Sequence, residues 1–283
     1  MKTILVTGAS SYIGARIFFD LKNTYNLIGT TYLNHHVSED FIHLNLTLKS
    51  RVDALIKNLK PDIILHVANY SNLNFARMNK KKFINLNQKT TQYLVRNANL
   101  YGLKVIFISS LAAKNPDNIY SKLKVKSETM VKTVQTGYLI LRPALVIGLS
   151  PNTMSNKFFN QILKCLNNED KPAQFDISWK IQPTYIGHLA QIINHAISNN
   201  EWNKTIPVYI DKRVTKYQLA TDILRFFRIF VYPTNLHTNF LPIEDDLTHF
   251  RSLSLAPASY EDMVRAIVKE IKQRQIYSLA RHR

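Results

Sequence analysis

Thr7-Gly8-Ala9-Ser10-Ser11-Tyr12-Ile13-Gly14 follows the apolar run Ile4-Leu5-Val6 and opens a helix-length segment that extends to Lys22. A glycine-spaced turn between a strand and a helix is the fingerprint of a dinucleotide-binding unit. Gly8 is predicted to make the tight turn and Gly14 to let the helix approach the strand. The unpaired N–H groups at the helix start would then bind a pyrophosphate. Ser11 occupies the central position of the fingerprint, where its small side chain predicts a slight displacement of the pyrophosphate.

Apolar runs of strand length alternate with helix-length segments after this turn. The predicted strands are 4–6, 27–31, 41–44, 63–68, 105–108 and 138–141, and the predicted helices are 13–22, 82–100 and 120–134. These strands are too apolar for a sheet with one solvated face, so they predict a parallel sheet covered on both faces. The predicted fold class is therefore α/β, with a Rossmann-type doubly wound parallel sheet.

The alternation is less regular after Gly148. Helices are predicted over 156–166, 186–198, 217–227 and 259–273, the last with Ser259 and Asp262 arranged as a capping box, and a strand is predicted over 207–210. We divide the chain into a dinucleotide-binding domain, 1–148, and a smaller C-terminal substrate-binding lobe within 149–283. The segment 181–210 is expected to return to the sheet. His188, on an apolar helix, is predicted to be a packed core residue.

The composition limits the classes of protein to which the chain can belong. It has 283 residues, of which 46% are hydrophobic, and a single cysteine, Cys165, so no intrachain disulfide forms. No apolar run approaches the roughly 18 residues of a membrane helix, and no signal peptide is evident. We therefore expect a cytoplasmic protein with no membrane span, and we predict no metal site.

The net charge of +18 has two interpretations. It could attract a polyanion such as a nucleic acid or a membrane surface, or it could belong to an ordinary basic fold. The charges are dispersed and form no basic stripe with aromatic stacking residues, so no specific nucleic-acid site is predicted. The basic C-terminal segment, 264–283, is interpreted as a packed helix with a cationic tail.

The region after the second predicted strand bears on the choice between NAD and NADP. An NAD site usually has an acidic residue here that binds the ribose 2′-hydroxyl. The sequence instead reads TTYLN at residues 30–34, His35 and His36 follow, and Arg16 lies in the first helix. The missing carboxylate favours NADP, but no arginine stands where it would bind the 2′-phosphate, so both cofactors stay open.

Tyr120 and Lys124 lie four residues apart and hence on one face of a predicted helix. A free tyrosine has a pKa near 10, and a nearby lysine ammonium together with the positively charged nicotinamide is predicted to lower that pKa by favouring the phenolate. Tyr120 could then exchange a proton with a carbonyl substrate while Lys124 holds the cofactor ribose. Ser110, at the end of the preceding strand, could donate a hydrogen bond to the substrate oxygen.

Taken together, these motifs resemble the extended short-chain dehydrogenase/reductase superfamily, specifically the NAD-dependent epimerase/dehydratase family and, within it, the dTDP-4-dehydrorhamnose reductase type. The resemblance covers nearly the whole chain. Its landmarks are TGASSYIG at 7–14, LHVAN at 65–69, Asn87 with Thr91 and Leu94, FISS at 107–110, YSKLKVKSE at 120–128, LRPALVIG at 141–148 and PTYIGHLAQII at 183–193.

The resemblance implies which residues form the site. Ala68 would line the cofactor cleft, Asn45 and Leu46 would lie near adenine, and residues 143–145 would pack by the nicotinamide. The predicted cofactor-binding residues are Gly8, Ser10, Ser11, Tyr12, Ile13, Gly14, Thr31, Asn45, Leu46, Ala68, Asn69, Asn87, Lys124, Pro143 and Leu145. The predicted catalytic residues are Ser110, Tyr120 and Lys124.

The resemblance implies an NAD(P)-dependent oxidoreductase that reduces a carbonyl substrate, a 4-keto sugar nucleotide, with Tyr120 as proton donor. Two alternatives stay open: an epimerase that uses the same residues, and a non-catalytic NADP-binding regulatory protein, such as the regulatory subunit of methionine adenosyltransferase. Relatives of this type often dimerise through the helices that contain Tyr93 and Tyr120, which implies a homodimer.

The chain also departs from the family pattern. Asn45 stands where many relatives have aspartate, and only ten positions separate Ser110 from Tyr120, a short loop for a sugar-nucleotide enzyme. Leu111 and Ala112 follow Ser110 where dehydratases carry an acid pair, so a dehydratase is disfavoured.

Overall fold

Strands and helices alternate along the part of the chain that the computed structural model describes, which comprises residues 1–33, 38, 40–167, 172–210, 212–237, 248–251, 253, 255 and 258–281. The strands are β1 (Thr3–Thr7), β2 (Asn26–Thr31), β3 (Ile42–His43), β4 (Ile63–His66), β5 (Lys104–Ile108), β6 (Tyr138–Pro143), β7 (Leu145–Ile147), β8 (Ala173–Asp176), β9 (Lys180–Ile181), β10 (Pro183–Tyr185), β11 (Lys204–Val208), β12 (Val214–Thr215) and β13 (Val231–Thr234). The α-helices are α1 (Tyr12–Leu21), α2 (Lys49–Leu59), α3 (Leu73–Met78), α4 (Lys80–Ile84), α5 (Thr90–Tyr101), α6 (Ile119–Val131), α7 (Phe158–Cys165), α8 (Ile186–Ser198), α9 (Lys216–Leu224), α10 (Thr248–Arg251) and α11 (Tyr260–Arg281).

Seven parallel strands form the central sheet in the order β11-β6-β5-β4-β1-β2-β3. The chain builds outward from β1 to β3 in one direction and then from β4 to β11 in the other. The order therefore reverses between β1 and β4, where Val6 pairs with Gly29 on one side and with Leu65 on the other. Ligands of open α/β sheets bind beyond the carboxyl ends of the strands at such a point.

Alternate residues of the buried strands pack against helices on opposite faces of the sheet. Ile4 and Val6 of β1 belong to the core that includes side chains of α1 and α8. Leu5 belongs to the core formed with α2, α5 and α6. Both faces are thus covered, and the predicted doubly wound α/β fold is confirmed.

The C-terminal half builds a second core next to the sheet. Side chains of α7, α9 and α11 pack together there with β8 and β10. Three short strand pairs support this core, β10 with β7 and β13 with β8 in parallel and β12 with β9 antiparallel. Between these elements the chain returns to the central sheet as β11, which pairs with β6. At the start of α11, Ser259 Oγ accepts a hydrogen bond from the Asp262 N–H at 3.0 Å, which is one of the two bonds of the predicted capping box. The Asp262 carboxylate accepts from the Ser259 hydroxyl at 2.6 Å.

Several predicted elements needed correction. The helix predicted over 82–100 extends over 80–101 and contains a π-helical segment, Asn85–Lys89, between α4 and α5. The strand predicted over 207–210 is β11, which begins three residues earlier. His188 is buried and its ring packs edge-on to Phe250 with the ring centres 5.3 Å apart, which confirms it as a core residue. No helix among the described residues is long and apolar enough to cross a membrane.

Candidate active site

The turn between β1 and α1 requires glycine at two positions. Gly8 has a φ of +68°, and a Cβ atom there would lie 2.7 Å from the Ala68 Cα. A Cβ atom on Gly14 would lie 2.2 Å from the carbonyl oxygen of Gly8. The helix and the strand therefore approach each other as the fingerprint predicts, and Ala68 closes the other side of the turn.

Ser11 acts as the N-cap of α1. Its Oγ accepts a hydrogen bond from the Gly14 N–H at 3.1 Å, so the serine satisfies one of the free N–H groups at the helix start. The N–H groups of Tyr12 and Ile13 have no partner within the helix because of their position in its first turn. No acidic residue lies in that turn. The helix dipole there favours an anion.

A loop far away in the sequence holds this turn in place. The Asn152 amide donates to the carbonyl oxygen of Ser10 at 2.7 Å, and the Ser150 hydroxyl donates to that of Tyr12 at 2.6 Å. The Tyr12 hydroxyl donates in return to the carbonyl oxygen of Gly148. Sequence analysis missed Ser150 and Asn152, because nothing near them in the chain indicates a contact with residues 10–12.

The carboxyl end of β2 also contacts the turn. The Ser10 and Thr31 hydroxyls are hydrogen-bonded at 2.8 Å in the interior. His35 and His36 lie outside the described residues. Arg16 is not available for a 2′-phosphate, because its guanidinium is paired with Asp20 and Glu270 at 2.7 Å each.

Three predicted cofactor-binding residues have contacts within the fold. The Asn45 carboxamide oxygen accepts hydrogen bonds from the Thr47 N–H and hydroxyl, and the Leu46 side chain is buried. Asn87, in the π-helical segment, donates to the carbonyl oxygen of Tyr70 and accepts from the Tyr70 N–H, both at 2.8 Å. Asn87 therefore holds the loop that follows β4.

A cleft of about 330 Å³ opens beside the turn. It brings together predicted residues from five separate segments of the chain. The predicted residues that line it are Ser11, Tyr12, Ile13, Asn69, Ser110, Tyr120, Lys124, Pro143 and Leu145. Val67, Ser71, Ile108, Ser109, Ala144, Val146, Lys157 and Phe158 complete the lining. Predicted residues absent from this lining, such as Gly8, Gly14 and Ala68, build the adjoining turn.

Tyr120, at the start of α6, carries the hydroxyl group that the sequence predicts as the proton donor. Burial raises the pKa of this phenol, and hydrogen bonds with the side chains of Ser110 and Asn69 only partly offset that effect. The sequence predicts a lowered pKa from Lys124 together with the positively charged nicotinamide. In the protein alone the pKa is raised instead, because the desolvation of Tyr120 outweighs the other influences. Tyr120 is consequently in its acid form at neutral pH.

Lys124 is buried one helical turn from Tyr120. Its ammonium donates a hydrogen bond to the Ile108 carbonyl oxygen at 2.7 Å and lies 5.8 Å from the centre of the Tyr120 ring. Burial lowers the pKa of this lysine to about 7, while the negative charge of Glu128 opposes the shift. The charged and the neutral form of the Lys124 side chain are therefore both populated near neutral pH.

Near Lys124 an ion pair joins the buried Glu128 of α6 to the half-buried Arg142 of β6. Arg142 donates to the two carboxylate oxygens of Glu128 at 2.9 and 2.6 Å, and Ser109 Oγ donates to the same carboxylate at 2.5 Å. This network ties the helix that carries Tyr120 and Lys124 to two strands of the sheet. Sequence analysis listed Glu128 and Arg142 only as parts of longer motifs.

Among the described residues, no group of three or more His, Cys, Asp or Glu side chains is arranged to hold a metal ion.

Comparison with known proteins gives the family of the chain. The RmlD substrate binding domain matches residues 1–246. The chain is 25% identical over 243 residues to methionine adenosyltransferase 2 subunit beta of Xenopus tropicalis, across 80% of the chain and 72% of that protein. It is 24% identical over 211 residues to dTDP-4-dehydrorhamnose reductase of Aggregatibacter actinomycetemcomitans, across 68% of the chain and 66% of that protein.

Solved structures share the fold over almost their full length. dTDP-4-dehydrorhamnose reductase from Bacillus anthracis, in complex with NADP, superimposes with a TM-score of 0.77 at 20% identity, covering 95% of this chain and 98% of that one. UDP-glucose 4-epimerase from Thermotoga maritima, with UDP-glucose, has a TM-score of 0.78 at 16% identity, covering 96% and 99%. At these identities the likeness establishes the fold.

Proposed function

This chain belongs to the RmlD substrate binding domain family, and on that premise we propose that it is an NAD(P)-dependent reductase of a carbonyl substrate, a 4-keto sugar nucleotide. One observation carries the proposal. A phenol in its acid form, two hydrogen-bonding side chains and a buried lysine line the same cleft as the dinucleotide-type turn. Relatives named for the reduction of dTDP-4-dehydrorhamnose support the substrate class.

The residues at the turn fit a dinucleotide. The space beside Gly8 and Gly14 is too small for a side chain, and the α1 N-terminus presents free N–H groups without an acidic neighbour. Ser11, Tyr12 and Ile13 would hold the pyrophosphate, and Lys124 would hold the nicotinamide ribose. Pro143 and Leu145 would provide the apolar wall for the nicotinamide ring.

The chemistry of the cleft suits carbonyl reduction. When bound, a reduced nicotinamide supplies a hydride to the carbonyl carbon. Tyr120 donates its phenolic proton to the carbonyl oxygen, so that hydride and proton together convert the ketone into an alcohol. Ser110 donates a hydrogen bond to the same oxygen and stabilises the charge that develops on it. The Lys124 ammonium stabilises the phenolate that remains on Tyr120.

We propose NADP as the preferred cofactor. No carboxylate that would bind a ribose 2′-hydroxyl stands at the end of β2 or directly after it, where the sequence reads TTYL at residues 30–33. Such a carboxylate would repel the 2′-phosphate of NADP. The related Bacillus anthracis structure is itself a complex with NADP.

The proposal is tested first by titrating the purified protein with NADPH and NADH and following the fluorescence of the reduced nicotinamide. We expect tighter binding of NADPH, and loss of binding in Gly14→Asp, whose side chain would occupy the space next to the Gly8 carbonyl. Circular dichroism of the variant checks that it is folded. If the wild type binds neither cofactor, in reduced or oxidised form, the redox function is excluded.

Turnover is tested with dTDP-4-dehydrorhamnose and Tyr120→Phe. The variant should bind NADPH as the wild type does, because the phenol ring is kept, but oxidise it at least a hundredfold more slowly because the proton donor is lost. Net consumption of NADPH identifies a reductase, whereas an epimerase interconverts its substrates without net consumption.

A non-catalytic role is the second candidate. The short segment between Ser110 and Tyr120 and the likeness to methionine adenosyltransferase 2 subunit beta favour it. Under this alternative the protein binds NADPH, and Tyr120→Phe leaves its biological activity unchanged.

We also propose a homodimer formed through α5 and α6, as the family resemblance implies.

A further inference from the structure

A groove separate from the cleft lies between α7 and α11, and the reaction proposed above does not use it. Its volume is about 410 Å³, and it shares no lining residue with the cleft. Asn160, Leu163 and Lys164 line it from α7, where spacings of three and four residues place them on one side of the helix. Ile271 and Arg274, three residues apart, line it from α11. We call it the α7–α11 groove.

Asn160 brings an unsatisfied hydrogen-bonding atom to this groove. The residue is 2% exposed, and its amide nitrogen donates to the carbonyl oxygens of Asn152, Thr153 and Ser155 at 3.3, 3.1 and 2.8 Å. These three acceptors fix the orientation of the carboxamide, because exchanging its nitrogen and oxygen would bring oxygens together. The carboxamide oxygen has no hydrogen-bond partner among the described residues. Buried acceptors are normally satisfied, so this oxygen indicates a ligand that donates a hydrogen bond.

The same groove carries positive charge. Lys164 and Arg274 are exposed, and the described lining of the groove contains neither aspartate nor glutamate. Glu270, one helical turn before Arg274, has its carboxylate engaged by the Arg16 guanidinium at 2.7 Å and the Tyr185 hydroxyl at 2.6 Å. The charges of Lys164 and Arg274 are therefore available to an anion.

The groove adjoins the loop that holds the dinucleotide turn. Leu149 and Thr153 of this loop line the groove. Between them, Asn152 donates to the Ser10 carbonyl oxygen of the turn at 2.7 Å, and its own carbonyl oxygen accepts from Asn160. A ligand that binds Asn160 would thus stabilise the loop in the conformation that supports the turn.

We propose that the α7–α11 groove is an effector site for a small organic anion that carries a hydroxyl group, and that the bound anion strengthens dinucleotide binding. Lys164 and Arg274 donate charge-assisted hydrogen bonds to the anionic oxygens, and the ligand hydroxyl donates to Asn160 Oδ1. The carbon skeleton packs against Leu163 and Ile271. A hydroxycarboxylate and a sugar phosphate both have this chemistry.

The coupling between the two sites is reciprocal. An anion that raises the affinity for the dinucleotide by a given factor must have its own affinity raised by the dinucleotide by the same factor. The coupling rests on the proposed function, because that function supplies the dinucleotide. Binding of the anion itself can be measured without any dinucleotide.

The test is calorimetric titration of the full chain at constant ionic strength, with and without saturating NADPH. Citrate and glycerol 3-phosphate are the hydroxylated anions, and tricarballylate and propyl phosphate are the matched anions without a hydroxyl group. The variants are Lys164→Met, Lys164→Arg and Arg274→Met. Lys272→Met is the control, because Lys272 is an exposed lysine of α11 that does not line the groove. Melting temperatures confirm that every variant is folded.

We expect Lys164→Met and Arg274→Met each to bind one of the hydroxylated anions about tenfold more weakly than the wild type, the effect of losing a hydrogen bond between charged groups. Lys164→Arg should restore most of the affinity, and Lys272→Met should behave as the wild type.

The matched anion without a hydroxyl group should bind the wild type about fivefold more weakly, because Asn160 then has no donor. The pair whose members differ identifies the anion as a carboxylate or a phosphate. Saturation with the hydroxylated anion should raise the affinity for NADPH about fivefold.

Three results would overturn the anion site: no binding of either hydroxylated anion to the wild type at millimolar concentration, an affinity that Lys164→Met and Arg274→Met leave unchanged, or equal affinities within both matched pairs. An anion that lowers the affinity for NADPH, or leaves it unchanged, would contradict the effector role. Failure of the proposed function has a separate signature. It appears as absence of NADPH binding to the wild type, whereas the anion titrations without NADPH still report on the groove.

Discussion

His66 couples the stability of the protein to pH through a site next to the dinucleotide turn. The residue ends β4 and is 1% exposed. Its Nδ1 lies 2.8 Å from Thr7 Oγ1, and its Nε2 lies 3.1 Å from Thr91 Oγ1. Burial, assisted by the positive charge of Lys124, lowers the pKa of this imidazole to about 3.

The magnitude follows from the two protonation equilibria. The unfolded chain takes up the proton near the ordinary histidine pKa of about 6.5, and the folded protein does so only near pH 3. Between these values the unfolded state binds more protons, so the free energy of unfolding falls as the pH falls. The contribution of His66 to the free energy of unfolding is fully present above pH 6.5. At pH 5.0 this contribution is about 2 kcal/mol smaller than at pH 7.5.

Urea unfolding at pH 7.5 and 5.0 measures this effect in the wild type and in His66→Gln. The variant loses packing against Phe107, so it is less stable at pH 7.5, but the gap to the wild type should shrink by about 2 kcal/mol at pH 5.0. Val105→Ala, a buried substitution without a titratable group, is the control and should keep the same gap at both pH values. A gap for His66→Gln that is independent of pH would refute the reasoning.

Two further predictions concern the framework of the site, and a third concerns the oligomeric state. Glu128→Gln removes the buried carboxylate that accepts two hydrogen bonds from the half-buried Arg142 guanidinium and should cost about 1.5–3 kcal/mol in urea unfolding, the contribution of hydrogen bonds to a charged group. Thr129→Ala, at an exposed position on the same helix, should change little, and an unfolding midpoint of Glu128→Gln equal to that of the wild type would contradict this. Asn152→Ala removes the hydrogen bond to the Ser10 carbonyl and should weaken NADPH binding about tenfold, with Asn156→Ala as the exposed control; equal fluorescence titrations for both variants would count against a role for Asn152. Light scattering coupled to gel filtration should give twice the chain mass of 32.7 kDa for the proposed homodimer, and a monomer at all concentrations would exclude it.

The sequence predicted those parts of the fold whose determinants are local. The β1–α1 turn is specified by two glycines six residues apart, and the central strands by continuous apolar runs. β9 and β12 have two residues each, and they pair as Ile181 with Val214 and Lys180 with Thr215. A run of two residues has no periodicity, so only the tertiary contact identifies such strands as strands.

The candidate site likewise combines features with local determinants and features that depend on tertiary contacts. Tyr120 and Lys124 could be predicted as a pair because a separation of four places them on one helical face. The contacts that support the site join residues more than a hundred positions apart, as Asn152 to Ser10 does, or cross from a helix to the sheet, as Glu128 to Arg142 does. No spacing rule covers such contacts.

The protonation state of the pair also depends on burial, and it bears on the direction of the reaction. A spacing argument treats Lys124 as a fixed positive charge and therefore predicts a lowered pKa for Tyr120. In the folded protein, desolvation acts on both groups in the opposite sense, raising the pKa of Tyr120 and lowering that of Lys124 to about 7. An enzyme that oxidises an alcohol needs the phenolate as a base, whereas one that reduces a ketone needs the phenol as an acid. With its phenol protonated at neutral pH, Tyr120 is in the acid form that the proposed reduction requires. Loss of a proton from Lys124 above pH 7 would remove the charge that stabilises the phenolate after transfer. Proton transfer from Tyr120 should therefore become less favourable as the pH rises above 7.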